Sequence, residues 1–136
     1  MIRTLATLLA FTGLLLSCNN DSDKKSYPET ELNVATTFIR DILDNKIDDA
    51  EQFILKDTVN TQYFERFKQA YLAKDKAELE KYKSADILIN ENSTVSDSVH
   101  IINYSNTYKR TKSVLKLVRI DGKWLIDFKY TFSGNM

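Results

Sequence analysis

The dipeptide Asp121-Gly122 restricts the fold more than any other feature of the chain. A two-residue Asp-Gly loop supplies the positive φ angles of a type I′ turn, whose twist matches that of two antiparallel strands. The flanks are strand-like: Thr111 to Asp121 on one side and Lys123 to Phe132 on the other are rich in Val, Leu, Ile and aromatic residues. The turn sets the register. Ile120 faces Lys123, Arg119 faces Trp124, Leu117 faces Ile126 and Leu115 faces Phe128, which makes one face strongly apolar and aromatic. Val118 with Leu125 and Lys116 with Asp127 make the second face mixed, and the charge pair there is on the scale of about 1 kcal/mol.

Upstream, Ser84 to Asn90 and Ser98 to Thr107 alternate in the same way between polar turn clusters, which predicts a sheet of about four strands. Before Ser84 the period is helical. Leu32, Ala35, Phe38, Ile39, Ile42 and Leu43 predict an amphipathic helix over 28–44, with Pro28 in its first turn and Glu29 and Glu31 at its positive end. Residues 48–55 predict a short helix capped by Asp48. Asn60 or Thr61 caps the next, with Phe64, Phe67 and Tyr71 three and four apart, and Asp75 restarts the pattern with Leu79 and Tyr82, as one kinked helix or two. Helices first and then antiparallel strands mean an α+β fold, the helices lying on one face of a curved sheet.

The N-terminus constrains location. Thr4 to Ser17 is a run of 14 uncharged residues behind Arg3, too short for the about 20 that span a bilayer. It has the three parts of a secretory signal, basic start, apolar middle and small Ser17 at the cut. Leu14-Leu15-Leu16-Ser17-Cys18 resembles the lipobox of bacterial lipoproteins. That resemblance implies cleavage after Ser17, a signal peptide over 1–17 and a diacylglyceryl group on Cys18, two acyl chains being enough for stable anchoring where one is marginal. It further implies a partner membrane and a place in the bacterial cell envelope, at the outer membrane. Residues 18–26, the lipidated cysteine and a polar stretch without apolar residues, read as a tether; residues 27–136 read as one domain.

Composition narrows the function classes. Nineteen basic and nineteen acidic residues give a net charge of zero, and the sequence has no basic run, which argues against nucleic acid as a partner. Cys18 is the only cysteine, so with it acylated no thiol remains for a disulfide or a Cys-based metal site. His100, the only histidine, alternates with Ile102 and Tyr104 and reads as a half-buried packing residue; no second His exists for a zinc site, and neither metal nor cofactor is expected. A nucleophilic triad has no assembled set here.

The N-terminal helix with Phe38 and Ile42, the step DNKIDDAEQFI into a second helix and the closing pair VLKLVRIDGKWLIDFKY together resemble nuclear-transport-factor-2-like (cystatin-like) domains. They are similar in particular to a group found in lipoproteins of Bacteroidetes-type bacteria, to which no activity is assigned. The resemblance implies a cone with a pocket between the sheet and the helices, walled here by Phe38, Ile42, Phe67, Tyr71, Trp124, Phe128 and Tyr130. Close-packed side chains filling that space are the competing expectation.

A steroid-isomerase-like enzyme of this build needs a carboxylate base beside a Tyr in an apolar pocket. The hairpin register directs Asp127 to the other face. The expected function is therefore a non-catalytic binding or interaction module for a small molecule or an envelope protein, with the pocket enzyme as the alternative. Arg119 opposite Trp124 predicts a cation–π contact. Asp57-Thr58-Val59 and Asp97-Ser98-Val99 match the D-[S/T]-aliphatic O-glycosylation pattern, of which about one instance arises by chance.

Overall fold

A computed structural model describes residues 26–132, so residues 1–17, expected to be a signal peptide with its cut after Ser17, and Cys18 lie outside the described residues. Four helices, α1 (Glu31–Leu43), α2 (Ile47–Glu51), α3 (Thr58–Leu72) and α4 (Lys76–Lys83), precede four strands. These are β1 (Ile87–Ser96), β2 (Val99–Asn106), β3 (Ser113–Ile120) and β4 (Lys123–Ile126), followed by a short helix, α5 (Lys129–Phe132). The strands form one open, curved antiparallel sheet in the order β1-β2-β3-β4. The fold is α+β, as the change of period at Ser84 predicts.

The hairpin has the expected register, with Ile120 paired to Lys123, Arg119 to Trp124, Val118 to Leu125 and Leu117 to Ile126. Asp121 and Gly122 both have positive φ, 49° and 77°, as a type I′ turn requires. The last strand is shorter than expected. Its ladder ends where Asp127 donates its N–H to the Lys116 carbonyl, and the chain then turns into α5 instead of running to Phe132. A side chain from another element causes the break: the Asn60 Oδ1 accepts the Lys129 N–H at 2.8 Å and takes it out of the ladder.

The other strand boundaries shift for similar reasons. β1 begins at Ile87, because Ser84 closes α4 and the Arg40 guanidinium binds the carbonyls of Ala85 and Lys83. It runs on to Ser96 through ENSTVS, which reads locally as a turn, because β2 supplies partners as far as Val99 across two irregularities. Pairing overrides propensity there.

Helix starts are settled by side-chain oxygens. Thr30 caps α1, leaving Pro28 ahead of the helix, and Asp57 caps α3 by accepting the Asn60 N–H at 2.8 Å, so neither Asn60 nor Thr61 is the cap. Asp48 lies inside the first turn of α2, favourable to the helix dipole but not a cap. Asp75 caps α4, which makes α3 and α4 separate helices. After α2 the chain is extended, and Phe53 to Leu55 lie along the outer edge of β4 through bonds from Ile126 N–H to the Phe53 carbonyl and from Leu55 N–H to the Ile126 carbonyl. That cover removes one exposed sheet edge.

The helices sit on one face of the sheet. Val34, Ala35, Phe38 and Ile39 of α1, Ile47 and Ala50 of α2 and Phe64 of α3 meet Ile102, Leu115, Leu117 and Ile126, all buried. Each large apolar side chain so placed contributes about 1.5–3 kcal/mol. Val99, Val118 and Leu125 share the opposite face and are half-buried.

Candidate functional site

The residues expected to wall a pocket fall into three places. Phe38, Phe67, Tyr71 and Phe128 come together around Phe64. The Phe128 ring lies 6.0 Å from Phe38, 5.2 Å from Phe64 and 5.5 Å from Phe67, and Phe67 lies 5.5 Å from Tyr71. Centroid distances of this size are those of rings in direct contact, mostly edge to face. Ile42 is buried in the same core. Trp124 stands apart, its ring 5.2 Å from His100 and 5.8 Å from the Arg119 guanidinium, the cation–π contact the register predicts. Tyr130 is not on the sheet face with Trp124 and Phe128, because β4 has ended; it sits on α5 with the Lys116 ammonium 5.6 Å from its ring centre.

The Tyr71 hydroxyl is buried with no hydrogen-bond partner among the described residues, and burial raises its pKa far above that of an ordinary tyrosine. It is therefore neutral at physiological pH. No carboxylate receives its proton.

Asp127, the carboxylate of interest for acid–base chemistry, is buried at 6 % exposure. It does pair with Lys116, at 3.5 Å, but this is only part of its environment. Its Oδ1 accepts from the Lys129 ammonium at 2.8 Å and from the Asn60 amide at 3.1 Å. The same Asn60 amide donates to Asp57 Oδ2 at 2.7 Å, while its carbonyl accepts the Lys129 N–H. Asn60 is fully buried, and its side chain joins the start of α3, the end of β4 and the start of α5. Sequence reasoning saw Asn60 only as a cap and missed this cluster, for which no local pattern exists.

Burial pushes the Asp127 carboxyl up, but the hydrogen bonds from Lys129 and Asn60 and the charges of Lys129 and Lys116 outweigh it and hold the group below the usual carboxylate range. Asp57 is lowered by the Asn60 N–H and then by the Asn60 amide. Lys129 is raised by its bond to Asp127. Two carboxylates and two ammoniums thus balance around one amide. A carboxylate engaged this way is stabilised in its ionised form and is a weak proton acceptor.

His100 faces the core side with Ile102 and Tyr104, opposite Leu117, Leu115 and Ser113. Its Nδ1 lies 3.7 Å from Glu31 of α1 and 3.4 Å from the Asn92 side-chain oxygen. These contacts tie the first turn of α1 to the sheet. Among the described residues no group of three or more His, Cys, Asp or Glu is placed to hold a metal ion, and no helix is long and apolar enough to cross a membrane.

Shallow grooves mark the surface of the described residues. One of about 320 Å³ is lined by Thr36, Thr37, Arg40, Asp41 and Ile87, and one of about 400 Å³ by Glu80, Lys81, Ser84, Ala85, Thr107 and Tyr108. Neither is lined by Phe38, Phe64, Phe67, Tyr71 or Phe128. No family model, no curated protein and no solved structure matches the chain at a significant level.

Proposed function

We propose that the chain is a lipid-anchored protein of a bacterial cell envelope, held at the outer membrane through acylated Cys18. Its domain, of nuclear-transport-factor-2-like build, serves as a non-catalytic binding or interaction module for a small molecule or an envelope protein. The observation that carries the module reading is the ring-to-ring packing of Phe38, Phe64, Phe67 and Phe128. Side chains that would have to stand apart to admit a substrate touch each other, which leaves recognition to the surface. The engagement of Asp127 by Lys116, Lys129 and Asn60 supports the same reading. The anchor rests on the lipobox-like run ending at Cys18 and on the polar stretch between it and the start of the domain.

Metabolic labelling with a fatty-acid analogue tests the anchor. The parent is expected to take up label and partition into detergent-extractable membrane, and Cys18→Ala to do neither. Equal label on both would overturn the assignment.

A further inference from the structure

The two edges of the sheet are finished differently. Phe53 to Leu55 cover the outer edge of β4, whereas β1, the other edge strand and ten residues long, pairs with β2 alone among the described residues. An uncovered edge invites pairing with another chain, the more so where apolar side chains flank it. Here they do: Val95 of β1 is 64 % exposed, and Ile120, next to the Arg119 whose N–H binds the Ser98 carbonyl, is 43 % exposed. Between β1 and β2 the chain reverses through Asp97 and Ser98, both exposed, with Ser96 paired to Val99.

The D-[S/T]-aliphatic pattern occurs twice, and the fold treats the two occurrences differently. In the first, the Asp57 carboxylate is engaged by the structure itself: Oδ1 accepts the Asn60 N–H at 2.8 Å, Oδ2 accepts the Asn60 amide at 2.7 Å, and the Lys129 ammonium lies 3.9 Å away. Thr58 opens α3. An enzyme reading this pair would have to displace the cap of α3 and a partner of the buried Asn60. In the second, Asp97 makes no hydrogen bond or ion pair among the described residues, and the Ser98 Oγ meets the Ser96 Oγ at 3.5 Å, the outer limit of a hydrogen bond. The backbone there is fixed, with the Ser98 N–H donating to the Ser96 Oγ at 3.3 Å and its carbonyl accepting the Arg119 N–H at 2.8 Å. A free carboxylate followed by an accessible hydroxyl is thus displayed on a defined turn.

We infer that Ser98 is an O-glycosylation site, recognised through the carboxylate of Asp97, and that its glycan covers Val95 and Ile120. The Ser98 hydroxyl attacks the anomeric carbon of a glycosyl diphosphate. The bond from that carbon to Oγ forms as its bond to the diphosphate oxygen breaks; the diphosphate leaves with the electron pair, and the hydroxyl proton passes to a base of the transferase. Ser93, Thr94 and Ser96 of the same hairpin have no carboxylate immediately before them, so a cation on the transferase facing Asp97 selects Ser98 among neighbouring hydroxyls. A bulky hydrophilic group at this turn covers apolar surface beside an unpaired strand edge, which is where a sheet most needs protection.

The test is mass spectrometry of the full-length chain made in a Bacteroidetes-type bacterium, the host to which the domain resemblance points, beside a control protein that the same host glycosylates at this pattern. The parent should carry glycan mass on the tryptic peptide 84–109, placed on Ser98 by fragmentation. Ser98→Thr and Thr58→Ala should keep the glycan, Ser98→Ala should lose it, and Asp97→Asn should lower its occupancy at least about tenfold, the scale of a lost charge-assisted contact. Asp97, Ser98 and Thr58 are all exposed, so these variants leave the core intact. Oxidative footprinting should label Val95 and Ile120 less in the parent than in Ser98→Ala. Fatty-acid labelling of the same samples keeps this site separate from the anchor: lipid without glycan removes the site and leaves the anchor, and glycan without lipid does the reverse. Absence of glycan while the control is modified, a glycan at Thr58 or elsewhere in place of Ser98, full occupancy in Asp97→Asn, or equal footprinting of parent and Ser98→Ala would overturn the inference.

Discussion

Phe128 and Asp127 are neighbours in sequence, both nearly inaccessible, yet they belong to clusters held by different physics. Phe128 touches four rings, those of Phe38, Phe64, Phe67 and Phe132, through contacts that are numerous, individually small and tolerant of shape. Asp127 makes few contacts, but each partner has one defined role: Lys129 and Asn60 on one oxygen, Lys116 on the other. Removing a ring weakens packing in proportion to lost volume, whereas removing one member of a polar cluster leaves the others buried without partners. The aromatic cluster supplies cohesion. The polar cluster specifies where β4 stops and how α3 meets α5.

The contrast can be broken at several points. The largest effect is expected from Phe38→Asp, which puts an unpaired charge where the side chain is 2 % exposed and should cost more than about 4 kcal/mol or prevent folding. Urea denaturation checks it, and a midpoint equal to the parent's would mean the α1 face is not buried. Asp127→Asn comes next, at about 3 kcal/mol, because it removes the buried charge that pairs with Lys129 and Lys116, and whichever way the amide turns its NH2 confronts a donor, Lys116 on one side or Asn60 and Lys129 on the other. That exceeds the roughly 1 kcal/mol expected of a simple cross-strand pair with Lys116. The difference is due to Asn60, which the hairpin register does not include.

A pH series sharpens the same point. The carboxyls of Asp127 and Asp57 titrate below their unfolded values, so their stabilisation is present above about pH 4 and is lost as pH falls through the lowered folded values. Lys129 is shifted up, so its contribution persists at lower pH and is lost only as pH rises through its raised value, above about 10. The parent should therefore lose more stability than Asp127→Asn between about pH 4 and pH 2. Parallel acid curves would show that Asp127 is not held ionised by this cluster. Phe67→Leu should be the mildest change, at about 1 kcal/mol, since Phe64 and Phe128 can close on the smaller side chain. A loss larger than that of Asp127→Asn would reverse the ranking of the two clusters.

Local signals carried much of the fold. Asp121-Gly122 and the alternating residues around it were enough to pair Arg119 with Trp124 and Leu117 with Ile126, because turn twist and a period of two leave one register. The apolar stripe of α1 and the restart of the helical pattern at Asp75 were equally readable, but only the cap that Asp75 places on α4 makes two helices of what could have been one kinked helix. The failures occur where a distant residue intervenes. Phe128 to Phe132 has strand composition, yet Asn60, 69 positions from Lys129, takes the N–H that a strand would need. Glu91 to Ser96 has turn composition, yet β2 offers it a ladder.

The sequence alone therefore decided what depends on near neighbours: the helical and alternating periods, the turn and the α+β class. Tertiary structure decided what depends on which groups meet. It placed Asn60 between two carboxylates, closed the aromatic rings on each other, and brought Lys81 of α4 and Lys109 of the β2–β3 loop to the one ring of Tyr108. Hydrogen bonds and charges act over a few ångströms of space regardless of separation along the chain, so their arrangement exists only once the chain has folded.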